Sequence, residues 1–101
     1  MKLAELNPMI HGGINWRPSE LLFDCPLHPG ERIYVHIRMP GQVVKVESPE
    51  GLKDISNLCW EWTATLLDWS DFNLRPSIQN HHHGKKDCNF HCSIVNGEIL
   101  P

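Results

Sequence analysis

The chain has 101 residues, of which 41% are hydrophobic and 21% charged, and its formal net charge is −3 with neutral histidines. A chain of this length forms one domain that buries about two-thirds of its surface, so its apolar core is thin. This composition excludes a disordered or membrane-embedded protein, and the charge excludes a broadly cationic nucleic-acid binder and a strongly acidic DNA mimic. The first residues lack the apolar run of a signal peptide, so we expect a cytoplasmic protein without a membrane partner.

The first half of the chain predicts an irregular arm followed by short strands. Residues 1–20 contain two prolines and two glycines and show no clean hydrophobic period, so we expect an irregular N-terminal arm. A β domain is predicted over residues 21–101, beginning with the apolar run at 21–25. Residues 32–39 and 43–47 both alternate apolar and polar side chains, which predicts a hairpin.

The second half continues the β pattern. Residues 58–66 alternate so that Leu58, Trp60 and Trp62 share one face, and these tryptophans are predicted to supply core. Residues 73–77 must be extended around a proline. The chain ends in a predicted hairpin with Asn96-Gly97 at its tip, a dipeptide typical of type I′ turns. The sequence therefore predicts a mostly β fold of five to seven short strands.

Two segments combine a cysteine and a histidine at the same spacing, which indicates a metal site. In Cys25-Pro26-Leu27-His28 and Cys88-Asn89-Phe90-His91, two residues separate the thiol from the imidazole. This spacing lets both side chains of a turn reach one ion, and zinc prefers four sulfur or nitrogen ligands in a tetrahedron. We expect one structural zinc ion per chain, held by Cys25, His28, Cys88 and His91. The ion would join the two ends of the β domain and stabilise a thin core.

Alternatives to this ligand set stay open. Residues 88 and 91 of a regular strand face opposite ways, so the second pair requires a turn or bulge, and Cys92 competes with His91 as fourth ligand. Four cysteines also permit disulfides, although a reducing compartment favours metal. Cys59 has no partner at ligand spacing and is predicted to be a buried thiol.

The segment between the last two predicted strands is rich in histidine and lysine. Three consecutive histidines of an extended chain point to alternating sides, so they cannot easily bind one ion together. A solvated loop is the simpler interpretation, and contacts to a phosphate or an acidic partner are the alternative. The possible contact residues are Arg75, His81, His82, His83, Lys85 and Lys86.

The order of motifs resembles a family of small uncharacterised proteins frequent in phage, prophage and bacterial genomes. The motifs are C-P-x-[CH] at residues 25–28, W-x-W at 60–62, L-x-P-S-I at 74–78 and C-x-x-H-x-x-I-x-N-G-x-I at 88–99. The resemblance covers roughly residues 21–100 and implies a zinc-bound β domain, often in a phage setting, with no established activity. Here His28 stands where the family pattern more often has cysteine, and Arg75 replaces a small polar residue.

Three functions follow from these patterns. The first is a zinc-binding structural or protein-interaction protein without catalysis, either a virion accessory protein or a modulator of a host protein in the host cytoplasm. Its expected partner is a host protein or a virion component, with self-association as the alternative. Four protein ligands leave zinc no open position for a substrate, which favours this function over catalysis. The first alternative is a nucleic-acid-binding zinc module that uses residues 81–86. The second is a zinc-dependent hydrolase or nuclease with three protein ligands and a water.

Overall fold

A computed structural model describes residues 1–14, 17–28, 30–65, 68–79 and 91–101. Nine strands and two short 3-10 helices, Leu3–Leu6 and Ser56–Leu58, make up its regular structure within these ranges. The strands are β1 (Met9–His11), β2 (Glu20–Asp24), β3 (Arg32–Arg38), β4 (Lys45–Ser48), β5 (Gly51–Asp54), β6 (Trp60–Thr63), β7 (Asn73–Gln79), β8 (His91–Val95) and β9 (Glu98–Leu100). The mostly β prediction is confirmed, with more strands than expected.

Seven of the strands form one curled sheet in the order β1-β2-β3-β6-β7-β8-β9. Neighbouring strands pair antiparallel except β3 and β6, which run parallel and pair Ile37 with Trp60. The parallel pair interrupts the meander, because the chain leaves the sheet after β3 to build a separate two-stranded sheet from β4 and β5. Among the described residues, no helix is long and apolar enough to cross a membrane.

The predicted hairpin between residues 32–39 and 43–47 is wrong. β2 and β6 occupy the two edges of β3, so no edge is left for the next strand. A turn at Met39 and Gln42 instead directs the chain away from the sheet, and β4 pairs with β5. Opposite charges face each other in this pairing, Lys45 across from Asp54, which is a stabilising cross-strand combination.

Alternation along the strands builds the core as predicted for β3. Ile33, Val35 and Ile37 are buried while Tyr34 is exposed, because successive side chains point to opposite faces. The other buried apolar side chains of this core come from the first 3-10 helix, from β2 and the residue after it, from the residue before β7, and from β7 to β9: Leu3, Leu6, Leu21, Phe23, Cys25, Phe72, Leu74, Ile78, Cys92, Ile94 and Ile99.

The tryptophans contribute to the edge of this core. Trp60 and Trp62 are partly buried against it, and the ring of Trp62 stacks on Phe72 with centroids 5.7 Å apart. The strand predicted over residues 58–66 is shorter in the structure, because Leu58 ends a 3-10 helix and is 62% exposed. Trp16 lies outside the described residues.

Residues 1–20, predicted as an irregular arm, contain the first 3-10 helix and β1. Leu3 is fully buried and its backbone N–H donates to the Gly97 carbonyl at 2.8 Å, while Ile99 N–H donates to the Met1 carbonyl at 2.8 Å. The first residues therefore cover the outer edge of β9. Glycine is required at position 97 for a different contact, because an added Cβ would overlap the backbone of Trp69 and Ser70.

Candidate metal centre and the neighbouring cleft

The turn that follows β2 brings Cys25 and His28 together. Cys25 N–H donates to the Glu31 carbonyl and Glu31 N–H donates to the His28 carbonyl, both at 3.0 Å, which closes the turn. Gly30 adopts a φ of 87°, a left-handed conformation that glycine tolerates without steric cost. The result is a Cys25 Sγ to His28 Nδ1 separation of 3.6 Å. The C-x-x-H spacing thus places both side chains on the same side of the turn.

This separation fits two ligands of one zinc ion. Bond lengths of about 2.3 Å for Zn–S and about 2.0–2.1 Å for Zn–N, at a tetrahedral angle, put the two atoms about 3.6 Å apart. A thiol–imidazole hydrogen bond is compatible with the same distance. Cys25 is 3% exposed and His28 is half-buried, so the pair is shielded from bulk water on one side.

The second predicted pair is divided between described and undescribed residues. Cys88 lies outside the described residues, whereas His91 is the first residue of β8. The His91 side chain is exposed, and its Nε2 lies 3.2 Å from Ser77 Oγ on β7. His91 therefore faces the outer side of the sheet, away from the core.

Cys92 faces the opposite way from His91. Its side chain is fully buried, and in the register of β7 and β8 it lies opposite buried Ile78. Burial raises the pKa of the Cys92 thiol to about 11, and the negative charge of Cys25 contributes to the same shift. Cys25 and Cys92 belong to the same buried core, so the end of β2 and the start of β8 both face the interior of the curled sheet, although β3, β6 and β7 lie between them in the strand order.

The described residues hold part of the predicted ligand set. Within ranges 1–14, 17–28, 30–65, 68–79 and 91–101, no group of three or more histidine, cysteine or acidic side chains is placed to hold a metal. Cys25 Sγ and His28 Nδ1 are close enough to bind one ion, and the His91 ring forms a hydrogen bond with Ser77. A complete site therefore depends on Cys88 and on a rearrangement of His91 or Cys92.

Cys59 is a buried thiol, as predicted, and it is 8% exposed. Its Sγ lies 3.5 Å from the Ile55 carbonyl oxygen, which accepts the S–H. Burial raises the pKa of the Cys59 thiol, and the positive charge of Arg38 opposes that shift. Among the described residues, Cys59 does not belong to a group of three or more side chains that could hold a metal.

An open cleft of about 690 Å³ lies on the outer face of the sheet, beside Cys59. Strands β3, β6, β7 and β8 form its floor, and the 3-10 helix Ser56–Leu58 contributes one wall. The lining side chains are Arg38, Ser56, Asn57, Cys59, Glu61, Leu74, Arg75, Pro76, Ser77, Ser93 and Val95. Sequence reasoning singled out Arg75 alone among the polar members of this group.

Arg38 and Glu61 form the ordered side of the cleft. The guanidinium of Arg38 donates to the Ser56 carbonyl at 3.0 Å, to the Gln42 carbonyl at 3.2 Å and to Glu61 Oε1 at 2.8 Å. These bonds join β3, the turn after it and the 3-10 helix to β6. The sequence did not identify Arg38 as a site residue, because Arg38 and Glu61 become neighbours only through the parallel pairing of β3 with β6.

Of the residues predicted to contact a phosphate or an acidic partner, the structure describes only one. Arg75 is exposed on β7 and lies opposite Glu61 in the register of β6 and β7. His81, His82, His83, Lys85 and Lys86 lie outside the described residues. The proposed contacts of these five side chains to a phosphate or an acidic partner therefore stay a prediction from the sequence.

A search of family models, of curated proteins and of solved structures finds no match to this chain.

Proposed function

We propose that this protein is a small zinc-binding structural and protein-interaction domain, in which one zinc ion per chain stabilises the fold. The observation that carries this proposal is the 3.6 Å separation of Cys25 Sγ and His28 Nδ1, which is the edge length of a tetrahedral zinc site. Cys88 is the proposed third ligand, and the fourth is His91, with Cys92 as the competing residue. Catalysis is not part of this proposal, because four protein ligands leave zinc no position for a substrate.

The position of the pair in the fold supports a structural role. The Cys25 turn directly follows β2, and the second cysteine–histidine segment leads into β8, so a shared ion would link strands that are distant in the sheet order. Metal sites that close a long loop remove much of the entropy of the unfolded chain. Because the core of a 101-residue domain is small, such a link contributes a large share of its stability.

Exposed apolar side chains support the interaction role. Val43, Leu52 and Leu58 are each at least 62% exposed and lie on or beside the separate β4–β5 hairpin. A two-stranded hairpin is marginally stable alone in water, and exposed apolar groups often mark a protein contact. We propose a protein partner for this hairpin, in a host cell or in a virion as the resemblance to phage proteins implies.

Elemental analysis combined with native mass spectrometry tests the zinc proposal. We expect one zinc per wild-type chain and one per Cys59→Ser chain, which is the matched control for loss of a buried thiol. Cys25→Ser is expected to lose the metal. A wild-type protein purified without metal and unable to bind added zinc would overturn the proposal.

The same measurement assigns the fourth ligand. If His91 binds zinc, His91→Ala loses zinc while Cys92→Ala keeps it. The reverse result assigns Cys92 and leaves His91 on the outer face. Retention of full zinc affinity by both variants contradicts a site closed by β8.

A further inference from the structure

Two arginines line the outer cleft, Arg38 and Arg75, and their surroundings differ. Arg38 is engaged by three acceptors and neutralises Glu61, whose Oε1 lies 2.8 Å from it. Glu61 is the carboxylate in the lining of the cleft. Arg75 has neither an ion pair nor a side-chain hydrogen bond within the described part of the chain, although it lines the same cleft. Within the part of the chain that the structure describes, the lining of the cleft therefore carries one more positive than negative charge.

Hydroxyl and imidazole groups lie beside this charge. Ser77 and Ser93 belong to the adjacent strands β7 and β8, and both line the cleft. Ser77 Oγ lies 3.2 Å from His91 Nε2, so the imidazole is held at the same face. A guanidinium, hydroxyl donors and an imidazole are groups that hydrogen-bond phosphate oxygens, and a charged donor makes the stronger bonds.

We propose that this cleft binds the phosphate group of a small phosphorylated molecule, with Arg75 as its principal contact and Ser77 and Ser93 as hydroxyl donors. The volume of about 690 Å³ lies within the range of small-molecule pockets. The net charge of −3 disfavours a long polyanion, so a compact ligand fits this chain better than a nucleic-acid strand. The proposed zinc ligands Cys25 and His28 do not line this cleft, whereas His91, the proposed fourth ligand, contacts Ser77 at its border.

Nuclear magnetic resonance titration of the full chain with inorganic phosphate, and separately with a nucleoside monophosphate, tests the proposal. We expect saturable shifts of the backbone amides of Arg75, Ser77 and Ser93. Arg75→Gln is expected to weaken binding of both probes at least about tenfold, because it removes the charged donor. Ser93→Ala is a second variant that leaves the charge in place, and we expect a smaller loss of about threefold.

Arg17→Gln is the matched control, because Arg17 is exposed, pairs with Glu20 and lies outside the cleft. It removes the same charge and is expected to leave binding unchanged. Equal weakening by Arg17→Gln and Arg75→Gln, or no cleft shift in the wild type, would overturn the site.

A short oligothymidylate distinguishes the source of the phosphate. Binding that depends on Arg75 and is tighter than that of the mononucleotide would keep the site and assign it to a nucleic-acid backbone. Oligothymidylate binding that is unaffected by Arg75→Gln, with no mononucleotide binding, would contradict it. None of these variants replaces a proposed zinc ligand or Ser77, so zinc content measured in parallel separates this result from the zinc proposal.

Discussion

Two buried cysteines of this chain lie in segments of very different construction. Cys25 lies in a turn closed by two backbone hydrogen bonds, with the His28 imidazole 3.6 Å from its sulfur. Cys59 follows a 3-10 helix that Arg38 ties to the neighbouring strands, and its sulfur contacts a carbonyl oxygen. Burial alone therefore does not distinguish the two thiols. The group next to each sulfur atom distinguishes them. An imidazole can bind the same metal ion as a thiolate, whereas a carbonyl that accepts an S–H stabilises the neutral thiol.

The largest expected effect comes from removing the thiol of the turn. Cys25→Ser is expected to lose zinc and to lower the free energy of unfolding by on the order of 3–5 kcal/mol, because metal binding is coupled to folding. Urea unfolding monitored by circular dichroism measures this difference. Repeating it with chelator present isolates the metal contribution, since wild type and variant should then unfold at similar urea concentrations. An unchanged gap in chelator would show that packing around Cys25, rather than zinc, accounts for the loss.

The stability of the segment around Cys59 is expected to depend on the hydrogen bonds of Arg38 and not on a metal ion. Arg38→Gln removes the bonds to the Ser56 carbonyl and to Glu61, and we expect a loss of about 2 kcal/mol in the free energy of unfolding. Arg75→Gln is the control within the same cleft, with an expected change of less than about 0.5 kcal/mol. Urea unfolding compares them, and equal losses would contradict a special role for Arg38.

A smaller effect on the free energy of unfolding is expected from replacing Cys59. Cys59→Ala removes a buried sulfur atom and leaves a small cavity, so we expect a loss of about 1 kcal/mol with zinc content unchanged. Metal analysis on the same preparation provides the comparison with Cys25. Loss of zinc from this variant would mean that the wrong cysteine has been assigned to the metal.

The smallest expected effect is a pH dependence at Cys59. Burial raises its folded-state pKa above the ordinary value of 9.0, so the unfolded chain releases this proton more easily. The stabilisation is present in full below pH 9.0 and is lost as the pH rises through the folded-state pKa. Comparing the wild type with Cys59→Ala between pH 8 and pH 10 should show a steeper decline for the wild type. Parallel curves would indicate that Cys59 ionises equally in both states.

Local patterns in the sequence predict the elements of this fold better than their pairing. Alternation identified β3 and its buried face, and the C-x-x-H spacing identified the contact between Cys25 and His28. The partners of β3 could not be predicted in this way, because alternation does not indicate which strand lies at each edge and a parallel pairing carries no local turn signal. The cleft was missed for the same reason. Its side chains come from strands that are distant in sequence, and Arg75 alone stood out as a charge.

The most direct test of the zinc proposal follows metal content and folding together during titration of the wild-type protein with a chelator. The proposal predicts one zinc per chain at the start and a single transition in which zinc release and loss of the β signal coincide. Full release of zinc from a chain that keeps its β signal and its thermal midpoint would contradict the claim that the metal stabilises this fold.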